Sequence, residues 1–228
     1  MFGVRWLAEL IALLAPPGCV TCGRALGRAD ERLCVECVRA VPWLRSGCAR
    51  CGLPRHRGRG CPAAGAAFSR AWAPVAYQGV ARRLVAALKF RGALVAADLM
   101  AAQMAANLPA SLRDPAVALV PVPAARSRRR RRGFDPARSL TVALARRLDR
   151  PLADCLARAD RSSRQVGASR SERRAAGRLE IRVRGSPPPL AILVDDVHTT
   201  GATLDASARA LAAAGTRVVA AITYARTL

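Results

Sequence analysis

Ala191-Ile192-Leu193-Val194-Asp195-Asp196-Val197-His198-Thr199-Thr200-Gly201-Ala202-Thr203 decides how the chain is read. Leu190 to Val194 is a short apolar run that predicts a buried strand. Two carboxylates, Asp195 and Asp196, stand at its C-terminal end. A loop of hydroxyls and glycine follows, and Ala202 to Ala214 reads as a helix with Gly215 at its C′ position. Backbone N–H groups at a helix N-terminus, backed by the helix dipole, suit a phosphate monoester. Thr199, Thr200 and Thr203 add hydroxyl donors, and Gly201 lets the backbone come close. Carboxylates so near a phosphate would repel it unless they face another part of the ligand, and sugar hydroxyls are their natural partners. The stretch therefore predicts a sugar-phosphate site outside the carboxyl end of a strand in an open α/β sheet. A solvated strand end with a plain helix cap accounts for Asp-Asp but not for the surrounding pattern.

The flanking sequence extends this reading. Phe68 to Gln78 predicts an extended segment, and Val80, Leu84, Val85 and Leu88 recur at helical spacing. Leu94 to Leu108 continues as helix. Val117 to Val120, ended by Pro121 and Pro123, suits a buried strand. Asp135-Pro136 is an N-cap followed by proline at the first helical position, with Leu140, Leu144 and Leu148 along one face. Arg158 to Gly185 is poor in apolar residues and reads as a long exposed, mobile loop. Arg217 to Tyr224 predicts a closing strand. Strand, loop, helix and strand form a βαβ unit, so the fold class is α/β with a Rossmann-like, mostly parallel sheet.

The front of the chain has a different texture. Seven of the eight cysteines lie between Cys19 and Cys61, as Cys19-x2-Cys22, Cys34-x2-Cys37, Cys48-x2-Cys51 and Cys61. A Cys-x2-Cys pair turns two thiolates toward one point, and the first two pairs predict a structural zinc site with four cysteine ligands. The second site has three cysteines, with Ala64 where a fourth would be expected. His56 has two readings, a fourth ligand or a solvated loop residue beside Arg55 and Arg57. Few large apolar side chains lie between residues 19 and 65, so this segment needs a staple to fold. The eighth cysteine, Cys155, reads as a small core residue on a helix. The expected organisation is an N-terminal helix and double zinc-ribbon-like module over residues 1–66, small residues 62–67 as a linker, and the α/β domain over 67–228.

Composition narrows the partners. The 228 residues hold 38 Lys+Arg against 15 Asp+Glu, a net charge of +23, and every cation but Lys89 is arginine. Such a charge attracts anions, nucleic acid or phosphorylated metabolites. The densest cluster is Arg126 with Arg128 to Arg132, expected in a loop. No run of eighteen uncharged apolar residues occurs, so no membrane insertion is expected. Leu7 to Ala15 is interrupted by Glu9 and precedes no small-x-small cleavage site. It reads as an amphipathic helix on a cytoplasmic protein rather than a signal peptide.

The stretch from Ala191 to Thr203 resembles the phosphoribosyl pyrophosphate (PRPP) motif of type I phosphoribosyltransferases. With the cysteine pairs, Leu88-Lys89-Phe90-x-Gly92, Val120-Pro121-Val122-Pro123, Arg132-Gly133-Phe134, and Gln165 with Arg173, residues 16–228 resemble the ComF family of competence and GntX-type proteins. The resemblance implies a type I phosphoribosyltransferase fold behind the zinc ribbon. It implies that Asp195 and Asp196 bind ribose hydroxyls with Mg²⁺, that Thr199 to Thr203 (Thr199, Thr200, Gly201, Ala202, Thr203) cradle the 5′-phosphate, and that Val197 and His198 belong to the same PRPP-binding stretch. It places pyrophosphate on Pro123, Arg126, Arg132 and Gly133, and it makes Arg158 to Arg174, with Arg161, Arg164 and Arg173, a closing catalytic loop. It implies a role in DNA uptake during natural transformation, beside an ATP-dependent DNA translocase. A non-catalytic accessory module that binds single-stranded DNA is the alternative. The chain departs from the family at Asp135-Pro136, where Asn-Gln is usual, at Ala176, where Asn is common, and at Ala64. His198 occupies a position where an apolar residue is common and reads as a tolerated loop residue rather than a base.

Overall fold

The structure is a computed structural model that describes residues 17–28, 30–45, 47–56, 60–91, 94–158 and 180–228. The predicted N-terminal helix and Arg161, Arg164, Gln165, Arg173 and Ala176 lie outside the described residues. The fold is mixed α/β with a parallel central sheet and an N-terminal ribbon module.

The main sheet contains β1 (Arg70–Trp72), β2 (Val75–Ala76), β3 (Ala118–Pro121), β6 (Leu190–His198) and β7 (Val218–Arg226). Its order is β1-β7-β6-β3, β2 also pairs with β7, and every pairing is parallel. The helices are α1 (Val35–Arg39), α2 (Gly79–Arg91), α3 (Leu94–Asn107), α4 (Arg126–Arg132), α5 (Pro136–Leu148) and α6 (Ala202–Ala213). Successive side chains of a strand point to opposite faces. On β6, Ile192 and Val194 join the apolar cluster containing Leu84 and Leu88 of α2, Met100 and Met104 of α3, and Leu140 and Leu144 of α5. Ala191 and Leu193 join the opposite cluster with Leu204, Ala208 and Leu211 of α6. A strand covered on both faces must be apolar throughout, which is why 190–194 shows no alternation.

Three expectations need correction. Arg126 to Arg132 is not a loop but the helix α4, closed by Gly133 in the left-handed conformation at φ 78°. Arginine is a good helix former, and glycine ends a helix here without steric cost. Arg158 to Gly185 is not loop throughout, because β4 (Leu156–Arg158) pairs antiparallel with β5 (Ile181–Val183). Cys155 is buried as expected, but it precedes β4 instead of lying on a helix.

The ribbon packs against the sheet rather than beside it. Cys19, Leu26, Leu33, Cys37 and Val41 belong to the α2/α3/α5 cluster, while Cys51 and Ala63 belong to the α6 cluster. The stretch 62–67 is held in turns by Arg50. Its guanidinium donates to the carbonyls of Ala63 (3.1 Å), Ala64 (3.2 Å), Ala66 (2.7 Å) and Ser69 (3.0 Å). From α6, Asp205 Oδ1 accepts from Ala67 N at 2.7 Å, and Arg209 Nη2 donates to Gly65 O at 2.9 Å.

Candidate functional site

Two knuckles of one design build the ribbon. In the first, Cys19 N donates to Arg24 O and Gly23 N to Cys19 O, each at 2.8 Å. In the second, Cys48 N donates to Leu53 O at 2.8 Å and Gly52 N to Cys48 O at 2.7 Å. The leading pair of each knuckle, Cys19-x2-Cys22 and Cys48-x2-Cys51, is followed by a glycine at positive φ, 77° at Gly23 and 72° at Gly52. A side chain would strain that turn. The repeated Cys-x2-Cys-Gly is a signal the cysteine spacing alone does not use.

Within each group, Cys19, Cys22, Cys34, Cys37 and Cys48, Cys51, His56, Cys61, all ligand atoms lie within 4.8 Å of one another. A tetrahedron with Zn–S bonds of about 2.3 Å has S···S edges of about 3.8 Å. Cys22 and Cys34 sulfurs are 3.7 Å apart, and those of Cys48 and Cys61 are 4.0 Å apart. His56 Nε2 is 3.2 Å from Cys51 Sγ, so the geometry selects the ligand reading of His56. Burial works against the Cys19 thiolate, but hydrogen bonds from Thr21 and from the amides of Cys34 and Cys22 bring its pKa down to about 5. The Cys51 amide leads in lowering Cys48 to about 7, whereas burial pushes Cys51 up to about 11. A bound cation removes the need to share protons among such thiols.

Residues 10–65 match the double zinc ribbon domain family. The double zinc ribbon accounts for both cysteine groups and leaves neither with an open coordination position for catalysis. No curated protein matches the chain.

A second site lies where the sheet meets α6. A cavity of about 220 Å³ is lined by Asp195, Asp196, Val197, Thr199 and Thr203, by Pro123 and Ala124 after β3, and by Lys89 and Arg132. β6 continues through His198, so both carboxylates sit on the strand instead of in the loop beyond it. Asp195 Oδ1 accepts from the Asp196 amide at 2.8 Å. Asp196 is 6% exposed, and its Oδ2 meets Lys89 Nζ at 2.7 Å. Burial first, and the Asp196 charge second, raise the Asp195 carboxyl well above its ordinary range, with Lys89 opposing. One lysine does not offset two carboxylates, so Asp195 tends to hold a proton that a bound cation can replace, and hydroxyl donors also suit the pair. Lys89, the only lysine, is the site residue the sequence reading left without a role. It lies on α2, and only the tertiary fold brings it to Asp196.

The loop residues fall as follows. Thr199 and Thr200 are exposed, and Thr200 Oγ1 accepts from Ala202 N at 3.4 Å. Gly201 has φ 81° and begins α6. His198 is buried on β6, edge-on to Phe68 with ring centroids 6.1 Å apart, so it is not a loop residue. Burial first, and the Arg226 charge second, lower its pKa to about 4.

Of the residues expected to face pyrophosphate, Pro123 and Arg132 line this cavity, and Gly133 lines an adjoining one of about 490 Å³. Arg126 begins α4. The Arg132 guanidinium lies 5.2 Å from the Phe90 ring centroid, and its buried Nε has no hydrogen-bond partner. Asp135 has two roles in the fold. It caps α5 by accepting from Ala137 and Arg138 amides, and its Oδ2 accepts from Ala124 N at 3.2 Å.

Proposed function

We propose that the α/β part binds PRPP and that the chain is a ComF-like protein of the type I phosphoribosyltransferase fold, acting in DNA uptake. The observation that carries this reading is the single cavity that brings together Asp195, Asp196 and Lys89 with Thr199 and Thr203 at the head of α6. Thr199, Thr203 and the first amides of α6 hold the 5′-phosphate. Asp195 and Asp196 accept from the ribose hydroxyls. The segment from Pro123 through Arg132 faces the pyrophosphate, toward which the unpartnered Nε of Arg132 is a donor. Mg²⁺, when bound with PRPP, supplies positive charge at the diphosphate, and the carboxylate surplus at Asp195/Asp196 fits its presence. In transfer, the bond from C1 to the pyrophosphate oxygen breaks, pyrophosphate leaves with the electron pair, and a nucleophile bonds to C1. The protein's share is positioning and charge stabilisation. Arg164 and Arg173, expected from the resemblance as catalytic residues, lie outside the described residues.

The test is calorimetric titration of PRPP with Mg²⁺ into the zinc-loaded wild type and into Asp195→Asn/Asp196→Asn. Binding that is lost in the variant supports the reading. A folded, zinc-loaded wild type that takes up no PRPP sinks it.

A second reading is favoured by α4, where Arg129, Arg130 and Arg131 are exposed. Here the chain is a non-catalytic accessory that binds single-stranded DNA or an ATP-dependent DNA translocase. Phosphate contacts of this kind give an affinity that falls steeply with salt. Single-stranded DNA binding that ignores salt, or survives Arg129→Ala/Arg130→Ala/Arg131→Ala, would remove this reading.

A further inference from the structure

Arg226 closes β7 and is 6% exposed, an unusual burial for an arginine. Its Nε donates to Cys51 O at 3.1 Å. Its Nη1 lies 2.8 Å from His198 O, 2.6 Å from Thr199 O and 2.9 Å from Thr227 O. The planar fork of a guanidinium fixes the relative positions of the groups it binds. One end of this fork holds a residue of the second zinc knuckle. The other holds the two carbonyls that open the loop of Thr199 to Gly201. Two further contacts run the same way. Phe68, in one apolar cluster with Cys51, meets the His198 ring edge-on. The first turn of α6 binds the tail of the second knuckle through Asp205 to Ala67. The first knuckle packs in the opposite apolar cluster.

We propose that Arg226 is a positioning residue for the phosphate-binding loop, and that it ties the conformation of that loop to closure of the second zinc knuckle around its metal. The inference rests on the ribose-phosphate reading for its consequence in binding, but not for the structural coupling. With the knuckle closed, the Cys51 carbonyl is fixed, Arg226 is fixed with it, and the carbonyls of His198 and Thr199 are turned inward toward it. An open knuckle frees the Nε end and loosens the loop. Coupling between two sites is reciprocal. A ligand in the loop therefore slows zinc loss from the second knuckle and leaves the first unaffected.

The experiment uses the full chain loaded with zinc. Hydrogen exchange of a peptide spanning 196–204 is compared among wild type, Arg226→Lys, His56→Ala/Cys61→Ser and Cys22→Ser/Cys37→Ser, with zinc content measured for each. Arg226→Lys keeps the charge and loses the fork, so it should retain both zincs while the loop exchanges at least about fivefold faster. The second-knuckle variant should lose one zinc and show the same loop acceleration. The first-knuckle variant should lose one zinc and leave the loop within about twofold of wild type. Unchanged loop exchange in Arg226→Lys, or equal acceleration from either knuckle, overturns the coupling. PRPP titration is run alongside, and each loosened variant should bind about tenfold more weakly. Failure of wild type to bind PRPP would end the ribose-phosphate reading while the exchange data still decide the coupling.

Discussion

A β-carbon on Gly201 would lie 2.7 Å from Nε2 of His198. The imidazole packs directly beneath the residue that turns β6 into α6, so the loop has no room to gain even a methyl group. Gly201 also carries φ 81°, where an L-residue is strained by about 1–2 kcal/mol. Gly201→Ala should therefore lose at least that much stability and reduce affinity for phosphate ligands. His198→Ala/Gly201→Ala should recover the steric part but not the backbone part. Chemical denaturation of the two variants measures the split, and equal stability of Gly201→Ala and wild type would refute the packing.

His198 also predicts a pH dependence. Its folded pKa, about 4, lies below the ordinary value of 6.5 given for histidine. Between those values the unfolded chain binds more protons than the folded one, so stability rises with pH. The contribution is complete above about pH 6.5 and is lost as pH falls toward 4, amounting to about 3 kcal/mol at most. The raised Asp195 acts in the opposite sense, favouring the folded state as pH falls. The difference in slope between wild type and His198→Gln isolates the histidine. Parallel curves from pH 4 to 6.5 would show that the imidazole is not held neutral.

The ion pair of Lys89 with Asp196 should behave as a coupled unit. Lys89→Met leaves a carboxylate in a buried position, at a cost of about 1–3 kcal/mol. Lys89→Met/Asp196→Asn removes both charges and should be more stable than Lys89→Met alone. A double-mutant cycle read by urea denaturation gives the coupling, and additive effects would mean that the two groups do not interact in solution.

Asp135 should be replaceable by asparagine in the cap but not in the bond from Ala124 N, because the amide NH2 that takes the place of Oδ2 donates and cannot accept. Asn serves as well as Asp at an N-cap, whereas Ala costs about 1 kcal/mol. Asp135→Ala also releases the Ala124 amide, which leads from β3 into the segment proposed to face pyrophosphate. Asp135→Asn loses the same bond, so both variants should weaken PRPP affinity while only Asp135→Ala also loses the cap. Wild-type PRPP affinity in Asp135→Asn would leave Asp135 with the cap alone.

Much of this architecture is readable from residue order because the decisive elements are local. β6 opens with a contiguous apolar run over 190–194, and the caps of α5 and α6 sit beside their helices in the chain. The cysteine pairs carry their geometry in their spacing. What escapes reading is contact between distant residues. Lys89 stands on α2 with nothing nearby in the chain to mark Asp196 as its partner. Arg226 is a lone cation in a β-branched strand, a warning of a buried role but not of its partners in the ribbon. The α4 helix was concealed by its charge, although Gly133 directly after the arginines was a usable stop signal. The antiparallel β4–β5 pair has only three residues per strand, too few for a periodic signature.

Arg50 binds four carbonyls between Ala63 and Ser69. The point where composition changes is thus not a joint at which the chain can be cut and rejoined. A recombination event that exchanged the front of the gene at residues 62–67 would separate Arg50 from those carbonyls' native setting and Cys51 from Arg226. The second knuckle and the closing strand must be inherited as one unit, despite standing at opposite ends of the sequence.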